Sequence, residues 1–144
     1  MTDCVLVPVD GSPAAQSAAE YASEQFPDDS LTLLYVIIPM VDYSRKRAYP
    51  GYTQDDEFSN EREKGEHILG TTRETLPDEV SVVTEIEAGN PAQTIIRYAE
   101  TNDVSQIVIG SHGKQGIARF LLGSVSETVV RRSPVPVTVV RPTE

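Results

Sequence analysis

Cysteine and long hydrophobic runs are both scarce in this sequence. Cys4 is the only cysteine among 144 residues, which excludes an intramolecular disulfide and a metal site built from several cysteines. No apolar segment approaches the ~20 residues that a membrane-spanning helix needs. The first residues also lack the basic and apolar regions of a secretory signal peptide. We therefore predict a cytoplasmic protein with no membrane partner.

Positive charge is the second scarcity. The chain has 12 lysines and arginines against 22 aspartates and glutamates, which gives a formal net charge of -10 at pH 7. Binding to a nucleic-acid backbone depends on clustered basic side chains that displace counterions. The sequence therefore predicts an acidic, soluble protein without a nucleic-acid partner.

Several familiar nucleotide-binding and catalytic motifs are absent. A P-loop needs lysine directly after its second glycine; Gly65 and Gly70 have the glycine spacing, but Thr71 follows them within a helical pattern. The sequence also lacks the dinucleotide G-x-G-x-x-G, the metalloprotease H-E-x-x-H and the hydrolase G-x-S-x-G. Any nucleotide site in this chain must therefore be of another kind.

Short apolar runs alternate with helical patterns along the whole chain. Continuous apolar runs bounded by turn residues are typical of strands buried on both faces, and Ser12-Pro13 and Asn90-Pro91 are typical helix starts. We predict strands over residues 4–9, 31–38, 80–86, 106–110 and 135–140, and helices over residues 13–25, 58–76, 91–101 and 125–132. The alternation predicts a single α/β domain over residues 1–144, an open parallel five-stranded sheet with helices on both faces.

Residues 39–57 interrupt this alternation. They contain two prolines, three tyrosines and mixed charge without a clear period. A loop of this length in a compact domain is usually functional or disordered. Two interpretations stay open here, a mobile lid or partner surface and a merely variable loop.

The segment after the fourth predicted strand combines glycines with a helix start. Gly110, Gly113 and Gly123 permit close backbone approach to a ligand, and Ser124 follows directly. The first amides of the last helix, together with the hydroxyls of Ser124 and Ser126, would suit phosphate groups. A purely structural alternative is a capping box between Ser124 and Glu127, and this cap is compatible with a phosphate site.

The spacing of these residues resembles the nucleotide-binding subclass of the universal stress protein family. That subclass has glycine, two residues, glycine, nine residues, glycine and then serine or threonine, and Gly110, Gly113, Gly123 and Ser124 match it. Further matches are the opening strand and turn over residues 7–12, the strand exit over residues 89–91 and the strand entry over residues 133–137. The resemblance implies a Rossmann-like fold of the adenine nucleotide alpha hydrolase type.

The resemblance also implies a set of ATP contacts, with ADP or AMP as alternative ligands. By position, the nucleotide-binding residues would be Pro8, Val9, Asp10, Val36, Ile109, Gly110, Gly113, Gly123, Ser124, Val125 and Ser126. A divalent cation, Mg²⁺ or Mn²⁺, would be bridged by phosphate oxygens without protein ligands. Asp10 has the alternative role of a turn residue before Gly11. We expect His112 to lie near a phosphate and not to be catalytic, because no nearby nucleophile or carboxylate completes a catalytic set.

Three functions are compatible with these residues. The first is an ATP-binding regulatory stress protein with slow or no hydrolysis, and the second is a Mg²⁺-dependent ATPase or nucleotidyl transferase that uses His112. The third is an interaction module that has lost its nucleotide. Pro136 fits an edge strand, an exposed edge at Val137–Val140 invites pairing with a second copy, and the resemblance implies a homodimer through that strand.

Overall fold

A computed structural model describes the chain over residues 3–39, 54–112 and 122–142, and for residues 54–58 it describes the backbone alone. The described residues form five strands and four helices in strict alternation. In chain order these are β1 (Cys4–Pro8), α1 (Pro13–Gln25), β2 (Ser30–Ile37), α2 (Gln54–Glu74), β3 (Ser81–Ala88), α3 (Pro91–Thr101), β4 (Gln106–Gly110), α4 (Ser124–Arg132) and β5 (Val137–Val140).

The strands form one parallel sheet in the order β3-β2-β1-β4-β5. From β1 the chain moves outward to β2 and β3 on one side, and it then crosses to β4 and β5 on the other. The strand order therefore reverses between β1 and β4, and such a reversal opens a crevice at the carboxyl ends of the strands. The predicted five-stranded α/β architecture is confirmed.

Two hydrophobic layers cover the two faces of the sheet. On one face α1 and α2 contribute a run of alanines together with Ile68 and Leu69, which pack on Val5, Val7 and Leu33. On the other face α3 and α4 contribute Ile95 and Val129, which pack on Leu6, Leu34 and Ile107. The central strands are buried on both faces, so their continuous apolar sequence has a direct physical cause.

The starts of α1 and α3 follow the predicted capping chemistry. The Ser12 hydroxyl accepts the amide of Ala15 at 3.2 Å, and Pro13 is the first helical residue. Asn90 Oδ1 accepts the amide of Gln93 at 3.1 Å in the same way. Each cap satisfies one of the unpaired amides of a helix start, so these two boundaries could be read from the sequence alone.

Helix α2 begins earlier than predicted, at Gln54 instead of residue 58. Its first residues are polar and acidic and have no apolar period, so pattern analysis assigned them to the preceding loop. Acidic residues are nevertheless favourable in a first helical turn because they interact with the positive end of the helix dipole. The rest of the predicted lid or variable loop, residues 40–53, lies outside the described residues.

Gly65 and Gly70, which share the glycine spacing of a P-loop, both lie inside α2. A side chain at Gly65 would place its Cβ 2.5 Å from the ring of Tyr35, so this glycine lets α2 pack on β2. The Tyr35 hydroxyl donates to Glu61 Oε2 at 3.4 Å, and burial, followed by the nearby Glu61 carboxylate, raises the pKa of Tyr35. The pair of glycines is therefore a feature of packing and not a phosphate loop.

The last strand is shorter than predicted. Pro136 precedes β5 instead of lying within it, and its carbonyl accepts the amide of Ile107 at 2.9 Å. Proline has no amide to donate to a ladder, so regular pairing begins only at Val137. The strand does lie at an edge of the sheet, as predicted. None of the helices in the described ranges is long and apolar enough to cross a membrane.

Gly110, at the end of β4, lies against the first turn of α1. A Cβ at this position would lie 2.7 Å from the carbonyl carbon of Ala14 and 2.8 Å from the amide nitrogen of Ala15. Real Cβ atoms do not approach backbone atoms so closely, and backbone atoms cannot rotate away. Gly110 is therefore required by the close packing of α1 on β4.

We predict that Gly110→Ala destabilises the fold by about 1–3 kcal/mol, because the helix must move away from the strand. Gly70→Ala is the matched control, since a Cβ there meets no atom within 4 Å and alanine is the better helix former by about 1 kcal/mol. Urea denaturation of both variants measures the two effects. Equal stability of Gly110→Ala and wild type would contradict this account of the packing.

Candidate functional site

A cavity of about 340 Å³ opens at the carboxyl end of the sheet, where the strand order reverses. The ends of β1, β2 and β4 and the starts of α3 and α4 converge on it. Its lining residues are Pro8, Val9, Asp10, Ser12, Ala15, Leu34, Val36, Ile38, Pro91, Ile95, Ile109, Gly110, His112, Gly123, Ser124, Val125 and Ser126. All the predicted nucleotide-binding residues that the structure describes therefore line one cavity.

Apolar side chains form one part of the cavity wall. They come from three strand ends and one helix, and comprise Val9, Leu34, Val36, Ile38, Ile95 and Ile109. Ile38 remains 55% exposed, whereas Ile95 and Ile109 belong to the core. A flat apolar group could pack against this part of the wall, because an apolar face has no hydrogen bonds to water that it would lose.

The start of α4 forms the polar part of the wall. Gly123 is the N-cap, with φ -68° and ψ 163°, and its carbonyl accepts the first helical bond from Glu127 at 2.9 Å. The amides of Ser124, Val125 and Ser126 have no acceptor among the described residues. Together with the helix dipole, these amides make the cavity locally attractive to an anion.

The predicted capping box between Ser124 and Glu127 is wrong. Ser124 is the first helical residue, and no side chain caps α4 within the described part of the chain. The Glu127 carboxylate instead pairs with Arg131 one turn further along the helix, at 2.8 Å. The exposed Ser124 hydroxyl is consequently not used as a cap.

Ser126 offers less to a ligand than the sequence indicated. Its side chain is buried, and its hydroxyl donates to the carbonyls of Ser111 at 2.8 Å and Gly123 at 3.0 Å. The single hydroxyl hydrogen is shared between these two carbonyls. The free donor of Ser126 is therefore its backbone amide and not its hydroxyl.

Gly123 connects the start of α4 to the end of β4. Its amide donates to the Ser111 carbonyl at 2.7 Å, and Ser111 in turn donates its amide to Val140 of β5 at 2.8 Å. A Cβ on Gly123 would lie 3.2 Å from the Cα of His112. Neither Gly123 nor Gly110 has a positive φ, so lack of space, and not a left-handed turn, accounts for glycine at both positions.

Asp10 lies between β1 and α1 and has the turn role that the sequence allowed. Its Oδ1 accepts the amide of Ser12 at 2.9 Å across Gly11, which has a φ of 87°. The side chain is half-buried and also lines the cavity. The turn role therefore does not exclude ligand contact, which stays a prediction.

His112 lines the cavity beside the start of α4 and is half-buried. Its Nδ1 lies 3.1 Å from the Ser111 hydroxyl, within hydrogen-bonding distance. This contact restrains the imidazole ring at the mouth of the anion-attracting region. Gly113, the remaining residue of the predicted site, lies outside the described residues.

Residues 1–141 match the universal stress protein family. The universal stress protein MJ0531 of Methanocaldococcus jannaschii is 32% identical over 142 residues, which cover 95% of this chain and 81% of the relative. This chain belongs to the universal stress protein family.

Solved structures of similar proteins agree with the fold. The structure of MJ0577 from M. jannaschii superposes with a TM-score of 0.81 at 28% identity and covers 100% of this chain and 99% of its own. A universal stress protein from Arabidopsis thaliana, solved with AMP bound, has a TM-score of 0.69 at 19% identity over 98% and 92% of the two chains. The latter similarity concerns the fold.

Sequence reasoning missed several cavity residues of this family member. The predicted site does not include six residues that line the cavity, which are Ser12 and Ala15 at the start of α1, Leu34 of β2, Ile38 just after β2, and Pro91 and Ile95 of α3. It also gives no role to Ser111, whose carbonyl accepts the Gly123 amide and the Ser126 hydroxyl. Ile38 is the last residue of the second strand as predicted, and ligands bind at and beyond strand ends in such folds. The contribution of α3 had no sequence signal, because it depends on how that helix crosses the sheet.

We predict that alanine substitutions of two serines of α4 differ in their effect on the free energy of unfolding. Ser126→Ala should lower the free energy of unfolding by about 0.5–1.5 kcal/mol, because a buried hydroxyl donor is lost while the Ser111 and Gly123 carbonyls each keep a backbone amide. Ser124→Ala should stay within about 0.5 kcal/mol of wild type, because that hydroxyl is exposed and makes no cap. Urea denaturation distinguishes them, and a destabilising Ser124→Ala beside a neutral Ser126→Ala would refute these roles.

Proposed function

We propose that this universal stress protein binds ATP in the cavity at the β1–β4 crossover and acts as a nucleotide-dependent regulator in the stress response. The observation that carries the proposal is that one cavity of about 340 Å³ combines an apolar wall with amides of α4 that have no acceptor among the described residues. Ligand pockets commonly measure about 300–1,000 Å³ and combine apolar walls with a few placed polar groups. In this proposal the cytoplasmic chain acts as one domain over residues 1–144.

The proposed adenine position is the apolar wall near Val36 and Ile109. The ribose would lie near Asp10 and Gly110, where the ends of β1 and β4 approach each other. AMP bound to the Arabidopsis relative supports an adenine nucleotide as the ligand class. The remaining distinction, ATP against AMP or ADP, depends on how many phosphates the start of α4 accommodates.

The proposed phosphate position is the start of α4. The amides of Ser124, Val125 and Ser126 are donors in fixed directions, and the helix dipole adds about half a positive charge at this end. His112 lies beside them and would contact a phosphate. These local donors matter because the chain as a whole is acidic and repels a polyanion at long range.

A divalent cation would complete the proposed complex. Asp10 is the only carboxylate that lines the cavity among the described residues. Mg²⁺ usually keeps several waters and binds substrate phosphates, and Asp10 Oδ1 already accepts the Ser12 amide. The cation, Mg²⁺ or Mn²⁺, would therefore be held by phosphate oxygens and waters without a protein ligand. When bound, the cation would neutralise phosphate charge close to Asp10.

The contact between Ser111 and His112 gives the enzyme hypothesis one supporting observation. A hydroxyl 3.1 Å from Nδ1 can fix the ring and leave Nε2 for a phosphate or a water. An accessible Nε2 is not a catalytic set by itself, because catalysis also requires a nucleophile and a carboxylate that orients the ring. We therefore propose slow or no hydrolysis by the isolated protein, with ATPase activity as the second candidate.

Direct identification of a co-purified ligand tests this proposal. Freshly purified protein is denatured, and the released nucleotide is identified by mass spectrometry and then titrated back with Mg-ATP by calorimetry. We expect an adenine triphosphate from wild type. Gly123→Val should weaken Mg-ATP binding by about tenfold or more, a loss of about 1.4 kcal/mol, because the added side chain meets His112 and disturbs the start of α4.

Gly70→Val is the control for that variant, since it carries the same substitution at an exposed position of α2 with open space around it. It should retain wild-type binding. Release of ADP or AMP from wild type would favour the enzyme hypothesis. Wild type that carries no nucleotide and ignores added Mg-ATP would refute nucleotide binding and favour the interaction module.

We also propose a homodimer through β5. The carbonyls of Pro136 and Val140 point to β4, so by alternation the backbone groups of Val137 and Val139 face the open edge of the sheet. Sedimentation velocity at micromolar concentration should show a dimer for wild type and a monomer for Val139→Pro, which loses an outward amide. A monomeric wild type would refute the homodimer.

A further inference from the structure

Strand β3 forms the edge of the sheet opposite β5. All eight of its residues are in register with β2 on one side, and no described residue pairs with its other side. The amide of Gly89, just after the strand, donates to Ile37 of β2 at 2.9 Å. By the alternation of backbone groups, Val82, Thr84, Ile86 and Ala88 therefore direct their amides and carbonyls outward.

This edge has few of the features that usually prevent strand addition. Proteins protect exposed edges with short strands, prolines, bulges, charged side chains or a covering helix or loop, and the charged side chains of β3 are Glu85 and Glu87. The edge strand β5 has four residues and lies between Pro136 and Pro142, whereas β3 has eight residues without proline or lysine. β3 is consequently the longer and less protected of the two edges.

A groove lies beside this edge, between β3 and α2. It has a volume of about 350 Å³, and its lining residues are Arg62, Glu66, Leu69, Gly70, Arg73, Thr84, Glu85 and Ile86. Gly70 leaves open space there, since a Cβ on it would meet no atom within 4 Å. The groove could therefore accept side chains from a strand that pairs with β3.

The two faces of the edge differ in charge. On the groove face, Arg62 pairs with Glu66 at 3.4 Å, but Arg73 forms no ion pair with any described residue. On the other face Val83, Glu85 and Glu87 follow one another at alternate positions and are exposed. An added strand would thus meet positive charge on one face and negative charge on the other.

This charge pattern disfavours a second copy of the chain at this edge. Symmetric pairing of two β3 strands would bring Glu85 and Glu87 of both copies onto the same face. Like charges on neighbouring strands are destabilising, and the chain already carries a net charge of -10. The complementary occupant is a different chain.

We propose that the outer edge of β3 binds an extended segment of another protein by strand addition. The segment carries acidic or small side chains on the face toward Arg73 and Gly70, and basic side chains on the face toward Glu85 and Glu87. Backbone pairing supplies affinity and the alternating charges supply specificity. The edge lies on the far side of the sheet from β5, so partner binding and the proposed homodimer are compatible.

A short synthetic peptide tests this proposal. The probe is acetylated, amidated and fluorescently labelled, with lysines and valine alternating on one face and glutamate flanked by small residues on the other. Fluorescence anisotropy should report binding to the full chain. A peptide of the same composition with both charge types on one face should bind at least about tenfold more weakly, which is about 1.4 kcal/mol.

Two pairs of protein variants locate the peptide. Thr84→Pro removes an outward amide and should abolish binding, whereas Thr84→Val retains the amide and should bind like wild type. Arg73→Glu should weaken binding of the probe peptide about tenfold and should favour a peptide that has lysine in place of the glutamate. Arg73→Lys should bind the probe peptide like wild type. Circular dichroism verifies that each variant is folded.

Three results would overturn the proposal. They are no peptide binding by wild type, equal binding of the two peptides, and binding that Thr84→Pro leaves unchanged. Self-association of Thr84→Pro is also measured by sedimentation velocity. If this variant loses self-association while β5 is intact, the β3 edge pairs with a second copy of the chain and not with another protein. None of these results depends on nucleotide binding in the cavity.

Discussion

The direct contact between helix α1 and the last residue of β4 determines the geometry of the site. Gly110 has no side chain, so the backbone of Ala14 and Ala15 lies where a Cβ would otherwise be. This close packing keeps the end of β1, the turn at Asp10 and the end of β4 around a single crevice. A larger residue would separate helix from strand and widen the cavity at its base.

A second contact brings the anion-attracting end of α4 to the same crevice. The Ser111 carbonyl accepts both the Gly123 amide at 2.7 Å and the Ser126 hydroxyl at 2.8 Å. This one carbonyl therefore binds the first turn of α4 to the chain just beyond β4. These contacts direct the amides of Ser124, Val125 and Ser126 and occupy the Ser126 hydroxyl, so Ser126 offers the cavity its backbone amide.

The local charge of the site opposes the charge of the whole molecule. An acidic surface lowers the rate at which nucleotides approach, but helix amides act at hydrogen-bonding distance, where they are much stronger than screened surface charges. The same contrast applies at the β3 edge, where Arg73 is a single cation without an ion-pair partner among the described residues, beside two glutamates. The binding proposed at both places would depend on short-range donors and not on net charge.

The sequence by itself determined the order of elements, the parallel sheet and the family. Its buried strands are continuous apolar runs, and its helix starts at Ser12-Pro13 and Asn90-Pro91 use local capping chemistry, so short-range pattern was sufficient. The glycine spacing also identified the residues around the cavity, because strand ends in this fold meet at one edge.

Only tertiary structure decided what each residue does there: the packing role of Gly110, the hydrogen bonds of the Ser126 hydroxyl and the contribution of α3 all depend on contacts between segments distant in sequence. The edge position of β3 was hidden for the same reason, since no local pattern marks it and it follows from the order of the strands in the sheet.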